Sequence, residues 1–90
     1  MNSMFCGCSL IASLDLTNFN TIKVTIMTSM FYNCTSLTSL NFTSFNTLKC
    51  QYFENMFASC KNIEIEIIKE NNINLISKAP PNIQFIDATL

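Results

Sequence analysis

The sequence predicts an α/β repeat solenoid in which each 26-residue repeat contributes one short parallel strand and one short helix. Three observations predict this fold. Residues 4–21 and 30–47 are nearly the same segment, MFCGCSLIASLDLTNFNT and MFYNCTSLTSLNFTSFNT, and a third copy begins near residue 53. Within each copy, apolar residues recur first at two-residue and then at three- to four-residue spacing. Self-similarity at a fixed period is typical of stacked repeats, in which each unit buries its apolar face against its neighbours.

The strand of each repeat is predicted from an alternation of leucine or phenylalanine with polar residues. Leu14 and Leu16 begin the pattern, and Leu40 and Phe42 repeat it one period later. Side chains two residues apart point to the same face of a strand, so these apolar residues should face the core. The third copy continues the alternation through three isoleucines, namely Ile63, Ile65 and Ile67.

The helix of each repeat is predicted from apolar residues at three- and four-residue steps, the spacing of one helix face. These residues are Val24, Met27, Met30, Phe31 and Cys34, and then Cys50, Phe53, Met56, Phe57 and Cys60. The Asn-Thr pairs at 20–21 and 46–47 should turn the chain between strand and helix, because both side chains hydrogen-bond to nearby backbone. One strand and one helix per repeat form a leucine-rich-repeat coil whose strands stack in parallel along one wall.

The period divides the chain into three repeats and a tail. Repeat 1 spans residues 1–26 and lacks the front of its helix, and repeat 2 spans residues 27–52. Repeat 3, residues 53–76, is degenerate: it is one residue short, lacks the FNT triplet, and should become irregular after its strand. Because Pro80 and Pro81 force an extended break, residues 77–90 are expected to form a tail, a cap or a partial fourth repeat.

The recurring pattern MFxxCxSLxxLxxxxFNT resembles the repeat of BspA-type leucine-rich-repeat surface proteins, which occur in host-associated bacteria and in some parasitic protists. The resemblance covers residues 1 to about 68. It implies a protein that is secreted or located at the cell surface, that adheres to a protein or glycan of host origin, and that has no enzymatic activity.

Composition argues against nucleic acid and membrane as partners. The chain has five Lys and no Arg among 90 residues and a net charge of −1, whereas phosphate binding requires clustered cations. No apolar run approaches the ~20 residues that span a bilayer, so direct membrane insertion is not expected. The N-terminus lacks the basic start and apolar core of a secretory signal, so surface location would require this chain to be a fragment of a longer protein.

No catalytic, cofactor or metal site is predicted. The chain has no His, and Cys8, Cys34 and Cys60 lie a full repeat apart, whereas zinc ligands usually occur in pairs two to four residues apart. Their recurrence at an apolar position predicts small core residues, although stacking would make a disulfide geometrically conceivable. A small thiol-dependent enzyme stays open as an alternative because the chain has five cysteines.

The predicted binding surface is the outward face of the strand wall, a polar, hydroxyl-rich and slightly acidic surface. Solenoids use such extended surfaces to bind macromolecules. The candidate residues are Ser13, Asp15, Thr17, Ser39, Asn41, Thr43, Glu64 and Glu66. The alternative is a structural spacer or self-stacking segment, with recognition elsewhere in a longer protein.

The first repeat is also expected to present an uncapped apolar end. Terminal repeats normally carry a polar cap, and this repeat should leave five apolar residues at an open end through which two chains could associate. These residues are Phe5, Leu10, Leu14, Leu16 and Phe19.

Overall fold

Four parallel strands form one sheet in the order of the sequence, and there is little helix. This architecture comes from a computed structural model that describes residues 2–88. The strands are β1 (Ser13–Asp15), β2 (Ser39–Phe42), β3 (Ile63–Ile67) and β4 (Ile83–Asp87). Between β3 and β4 lie a 3₁₀ turn (Lys69–Asn71) and one α-helix, α1 (Ile73–Lys78).

The register of the sheet follows the repeat. Leu14 in β1 pairs with Leu40 in β2, 26 residues later, and Leu40 pairs with Ile65 in β3, 25 residues later. The third copy is therefore one residue short, as predicted. Ile65 pairs with Phe85 in β4 only 20 residues later, so the fourth coil of the chain is shorter than the others.

The strand alternation places the apolar residues in the core. Leu40 is 3% exposed and Ile65 is 0% exposed, while Ser39 and Glu64 beside them in sequence are exposed. Phe42 and Phe45 are buried and stack with ring centroids 4.0 Å apart. The predicted inward register is confirmed.

The predicted helix in each repeat is wrong. Residues 2–8, 28–34 and 54–60, which we call the turn wall, form consecutive turns instead. Along this wall alternate backbone N–H groups donate to the next repeat: those of Ser29, Phe31 and Asn33 donate to the carbonyls of residues 54, 56 and 58 at 2.8–2.9 Å. The N–H groups between them close local turns, as the Tyr32 N–H does to the Ser29 carbonyl at 3.1 Å.

Left-handed backbone conformations explain why no helix forms. Two residues per repeat, four apart, have positive φ angles of 56–77°. A helix cannot pass through such residues, and it would also direct every N–H along its own axis rather than towards a neighbouring coil. The six residues are Ser3, Ser29 and Asn55 at the first position, and Gly7, Asn33 and Ser59 at the second.

One phenylalanine per repeat stacks through the core behind the turn wall. The rings of Phe5 and Phe31 are 5.5 Å apart and 7° from parallel, and those of Phe31 and Phe57 are 5.5 Å apart and 3° from parallel. Near-parallel rings at this separation are offset, the arrangement that aromatic pairs favour. The stack links all three repeats on the side of the core opposite the sheet.

Buried polar groups join the repeats where the FNT triplets end. The Thr21 hydroxyl donates to the Asn46 carbonyl at 3.1 Å. One repeat later the Thr47 hydroxyl donates to the Asn72 side chain at 2.7 Å, and the Asn72 amide donates to the carbonyls of Phe45 and Ile68, each at 2.9 Å. Asn72 is 0% exposed and uses its donors and its acceptor, as buried amides usually do.

The structure corrects two further predictions. The chain after β3 is not irregular, because it forms the 3₁₀ turn, α1 and a fourth strand within residues 69–87. Of the residues assigned to the apolar end, Leu10 is 94% exposed, but Leu16 is 2% exposed and lies in the core. Leu16 is buried because it aligns with Phe42, which faces inward from β2. Within residues 2–88, no helix has the length and apolar character needed to cross a bilayer.

Candidate functional site

The outward face of the sheet consists of two rows of side chains that run across the four strands. Strand pairing aligns equivalent positions, and neighbouring strands lie about 4.8 Å apart. One row contains Ser13, Ser39, Glu64 and Gln84, and the other contains Asp15, Asn41, Glu66 and Ile86. The face is therefore about 14 Å across, a width that suits a short polar ligand segment.

The structure brings together six of the eight residues predicted for this face. Five of the six are exposed, and Asn41 is half-buried. Thr17 and Thr43 lie just past the ends of β1 and β2 rather than within the rows. Sequence reasoning missed Gln84 and Ile86, although the alternation in NIQFID was the signal that could have placed them.

Asp15 and Asn41 also have a local structural role at the ends of their strands. The Thr17 N–H donates to Asp15 Oδ1 at 3.0 Å, and the Thr43 N–H donates to Asn41 Oδ1 at 3.0 Å. The hydrogen bonds from the side chain and backbone of Thr17 lower the pKa of Asp15 below its usual value. Both side chains therefore shape the turn after the strand in addition to facing outward.

The face is acidic because cations are absent from the strands. β1 to β4 contain no Lys or Arg, while Asp15, Glu64 and Glu66 place carboxylates on the outward side. The Ser13, Ser39 and Glu64 side chains make no hydrogen bond to any part of the chain that the structure describes. These polar groups are consequently available to a ligand with cationic or hydroxyl groups.

The repeated cysteines pack between coils. The Cys34 thiol donates to the Phe5 carbonyl, and the Cys60 thiol donates to the Phe31 carbonyl, each at 3.0 Å. Burial raises the pKa of the Cys34, Cys50 and Cys60 thiols. Among residues 2–88 all five cysteines are free thiols and no cluster of metal ligands occurs. Cys6 is exposed and Cys8 is half-buried.

The fold is expected to survive both a chelator and a reducing agent. Because Cys34 and Cys60 make packing and hydrogen-bond contacts rather than covalent or metal bonds, neither EDTA nor dithiothreitol removes a structural element. Circular dichroism spectra and melting temperatures should be unchanged by either reagent. Loss of ordered structure with EDTA would reveal a structural metal, and loss with dithiothreitol would reveal a disulfide.

Comparison with known proteins gives one match. A family model described as "Mycoplasma protein of unknown function, DUF285" matches residues 1–80. No curated protein and no solved structure matches the chain.

Proposed function

Since the chain belongs to the DUF285 family of Mycoplasma proteins of unknown function, we propose that it is a leucine-rich-repeat solenoid segment that acts as a binding module. It resembles BspA-type repeats in its MFxxC and FNT motifs. In this proposal the module is non-enzymatic, belongs to a surface or secreted protein, and contributes to adhesion by recognising a protein or glycan through the outward face of the sheet.

The observation that supports this proposal is the alignment of polar side chains across the sheet. Parallel pairing puts Ser13, Ser39 and Glu64 in one row, with no lysine or arginine in any strand. An extended face that presents hydroxyl, amide and carboxylate groups in register suits a ligand with repeated donors. Glycan hydroxyls and the cationic side chains of a protein both supply such donors.

Replacing Ser13, Ser39 and Glu64 together with lysine tests the proposal. This variant adds three long cationic side chains to the face and raises the net charge by four, while leaving the turns at Asp15 and Asn41 intact. Binding should be measured on an array of host matrix proteins and glycans. Ligands captured by the unchanged protein should be lost by at least tenfold.

The matched control replaces Ile22, Leu48 and Glu70 with lysine. All three are exposed away from the strands, and this variant also raises the net charge by four. It should retain the captured ligands. If the strand-face variant stays folded and binds as before, the binding surface lies elsewhere on the molecule.

A structural role is the second candidate, and the exposed apolar end of the first repeat favours it. Leu10 is 94% exposed and Met4 is 50% exposed beside the edge strand β1. Apolar side chains next to an unpaired strand edge promote association between chains. In this role the segment would act as a spacer or self-stacking unit. Concentration-dependent association in analytical ultracentrifugation, together with no capture on the array, would favour it over the binding module.

A further inference from the structure

The fourth coil lacks the turn segment that the other coils have. Residues 28–34 stack on 2–8, and residues 54–60 stack on 28–34, in each case before the chain enters the next strand. Only 20 residues separate the paired residues Ile63 and Ile83, and α1 with the following Pro80 and Pro81 takes up most of that length. No segment of residues 2–88 therefore stacks on 54–60 as these stack on 28–34.

The missing segment leaves a row of backbone donors without partners. In the second repeat, the N–H groups at positions 29, 31 and 33 all donate to the third repeat. Their counterparts in the third repeat are the N–H groups of Asn55, Phe57 and Ser59. Within residues 2–88 these three groups have no hydrogen-bond partner. Phe57 is 3% exposed as a residue, so at least one of these donors lies at a largely dry position.

A groove of about 410 Å³ lies beside this row of donors. Met56, Phe57 and Leu75 form an apolar floor and are each 2–3% exposed. Ala79 and Pro80 form part of its wall on the side of α1. An apolar groove with a line of unpaired N–H groups is the combination that receives an extended peptide by backbone pairing.

We propose that this groove binds one extended peptide segment of a partner protein. The segment supplies carbonyl oxygens at alternate residues to the N–H groups of Asn55, Phe57 and Ser59. An adjacent Met-Phe pair in the segment packs on the apolar floor, because the pairs at 30–31 and 56–57 occupy the equivalent places in the second and third repeats. The inference concerns a different surface from the strand face and does not depend on it.

The neighbouring strand favours a single peptide segment over a folded second copy of this chain. In a second copy, residues 2–8 lead directly into β1, which would have to pair with β3 if those residues filled the groove. That place beside β3 is already held by β4, which pairs along the whole length of β3 from Ile63 to Ile67. A segment one chain wide fits the groove without displacing β4.

The probe is a synthetic peptide with the sequence of residues 27–35, MTSMFYNCT, added to the ¹⁵N-labelled protein under reducing conditions. Without peptide, the amides of Asn55, Phe57 and Ser59 should exchange with solvent at least tenfold faster than those of Ser29 and Phe31. With saturating peptide, exchange at the three third-repeat amides should slow by at least tenfold. The amides of Ser29 and Phe31, which are already paired, should not change.

A control peptide and two variants keep the test sharp. A peptide with serine in place of its Met-Phe pair should bind at least tenfold more weakly. Ala79→Glu puts a charge into the groove and should weaken binding by at least tenfold, while Ser77→Glu adds the same charge at an exposed position of α1 outside the lining and should not.

Three results would overturn the proposal. One is no binding at millimolar peptide, and another is binding that leaves exchange at the three amides unchanged. The third is slowed exchange at these amides in concentrated protein without peptide, accompanied by chemical-shift changes at Met4 and Leu10. That pattern would identify a second copy of the chain as the occupant.

Discussion

Phe31→Ala is expected to destabilise the fold by about 3–5 kcal/mol, which is enough to unfold much of a 90-residue chain. Phe31 is 0% exposed and is the middle ring of the stack, with Phe5 and Phe57 each 5.5 Å away. Its removal leaves a cavity and breaks the aromatic contact to both neighbouring repeats. Urea unfolding followed by circular dichroism measures the loss.

Tyr32→Ala is the matched control for this prediction. Tyr32 is the next residue on the same turn and is 39% exposed, so its truncation should change the free energy of unfolding by less than about 1 kcal/mol. Similar losses for the two variants would mean that the aromatic stack does not hold the repeats together.

Leu40→Ala is expected to cost about 2–5 kcal/mol. Leu40 is 3% exposed in the second strand and lies between its paired residues Leu14 and Ile65. No other part of the chain can fill the space, because the strands on both sides are fixed by backbone pairing. Thermal or urea unfolding should show a lower midpoint with a slope close to that of the unchanged protein.

The adjacent residue gives the control for the strand register. Ser39 faces outward and makes no side-chain hydrogen bond within residues 2–88, so Ser39→Ala should be nearly neutral. Because a shift of one residue exchanges the two faces of a strand, equal losses at 39 and 40 would show that the assigned register is wrong.

The strands could be predicted from the sequence because two independent signals coincide there. Leu14 and Leu40 show both the two-residue alternation of a strand and the 26-residue repeat, and Ile65 continues the alternation when the period slips by one. The same signals placed six polar residues on one face. Since alternation fixes the side of the sheet on which a residue lies, this much of the candidate site followed from the pattern.

The turn wall could not be distinguished from a helix by its apolar spacing. Met30, Phe31 and Cys34 are buried at steps of one and three residues in consecutive turns, and one face of a helix has the same spacing. The distinguishing signal was the polar or glycine residue that recurs four residues apart, as at Ser29 and Asn33. Such residues tolerate the left-handed conformation, but Ser alone is a weak indication of it.

The groove at the fourth coil could not be predicted because it arises from a break in the repeat. Its walls come from two dissimilar parts of the chain, the regular turns at 54–58 and the unrepeated residues 75–80. Periodicity carries no information about how an unrepeated segment packs. The buried Asn72, which takes the place of threonine at the end of the FNT triplet, shows the same limit.

The one-directional hydrogen bonding of the turn wall gives the stack an electrical polarity. The N–H groups of Ser3 and Phe5 point to the second repeat, and those of Ser29 and Phe31 point to the third. Alternate peptide dipoles therefore align along the stacking axis, as they do along an α-helix. Partial positive charge accumulates where the donors of Asn55, Phe57 and Ser59 emerge. Carbonyl oxygens, or the carboxylate that ends a polypeptide, should be held there more favourably than any cation.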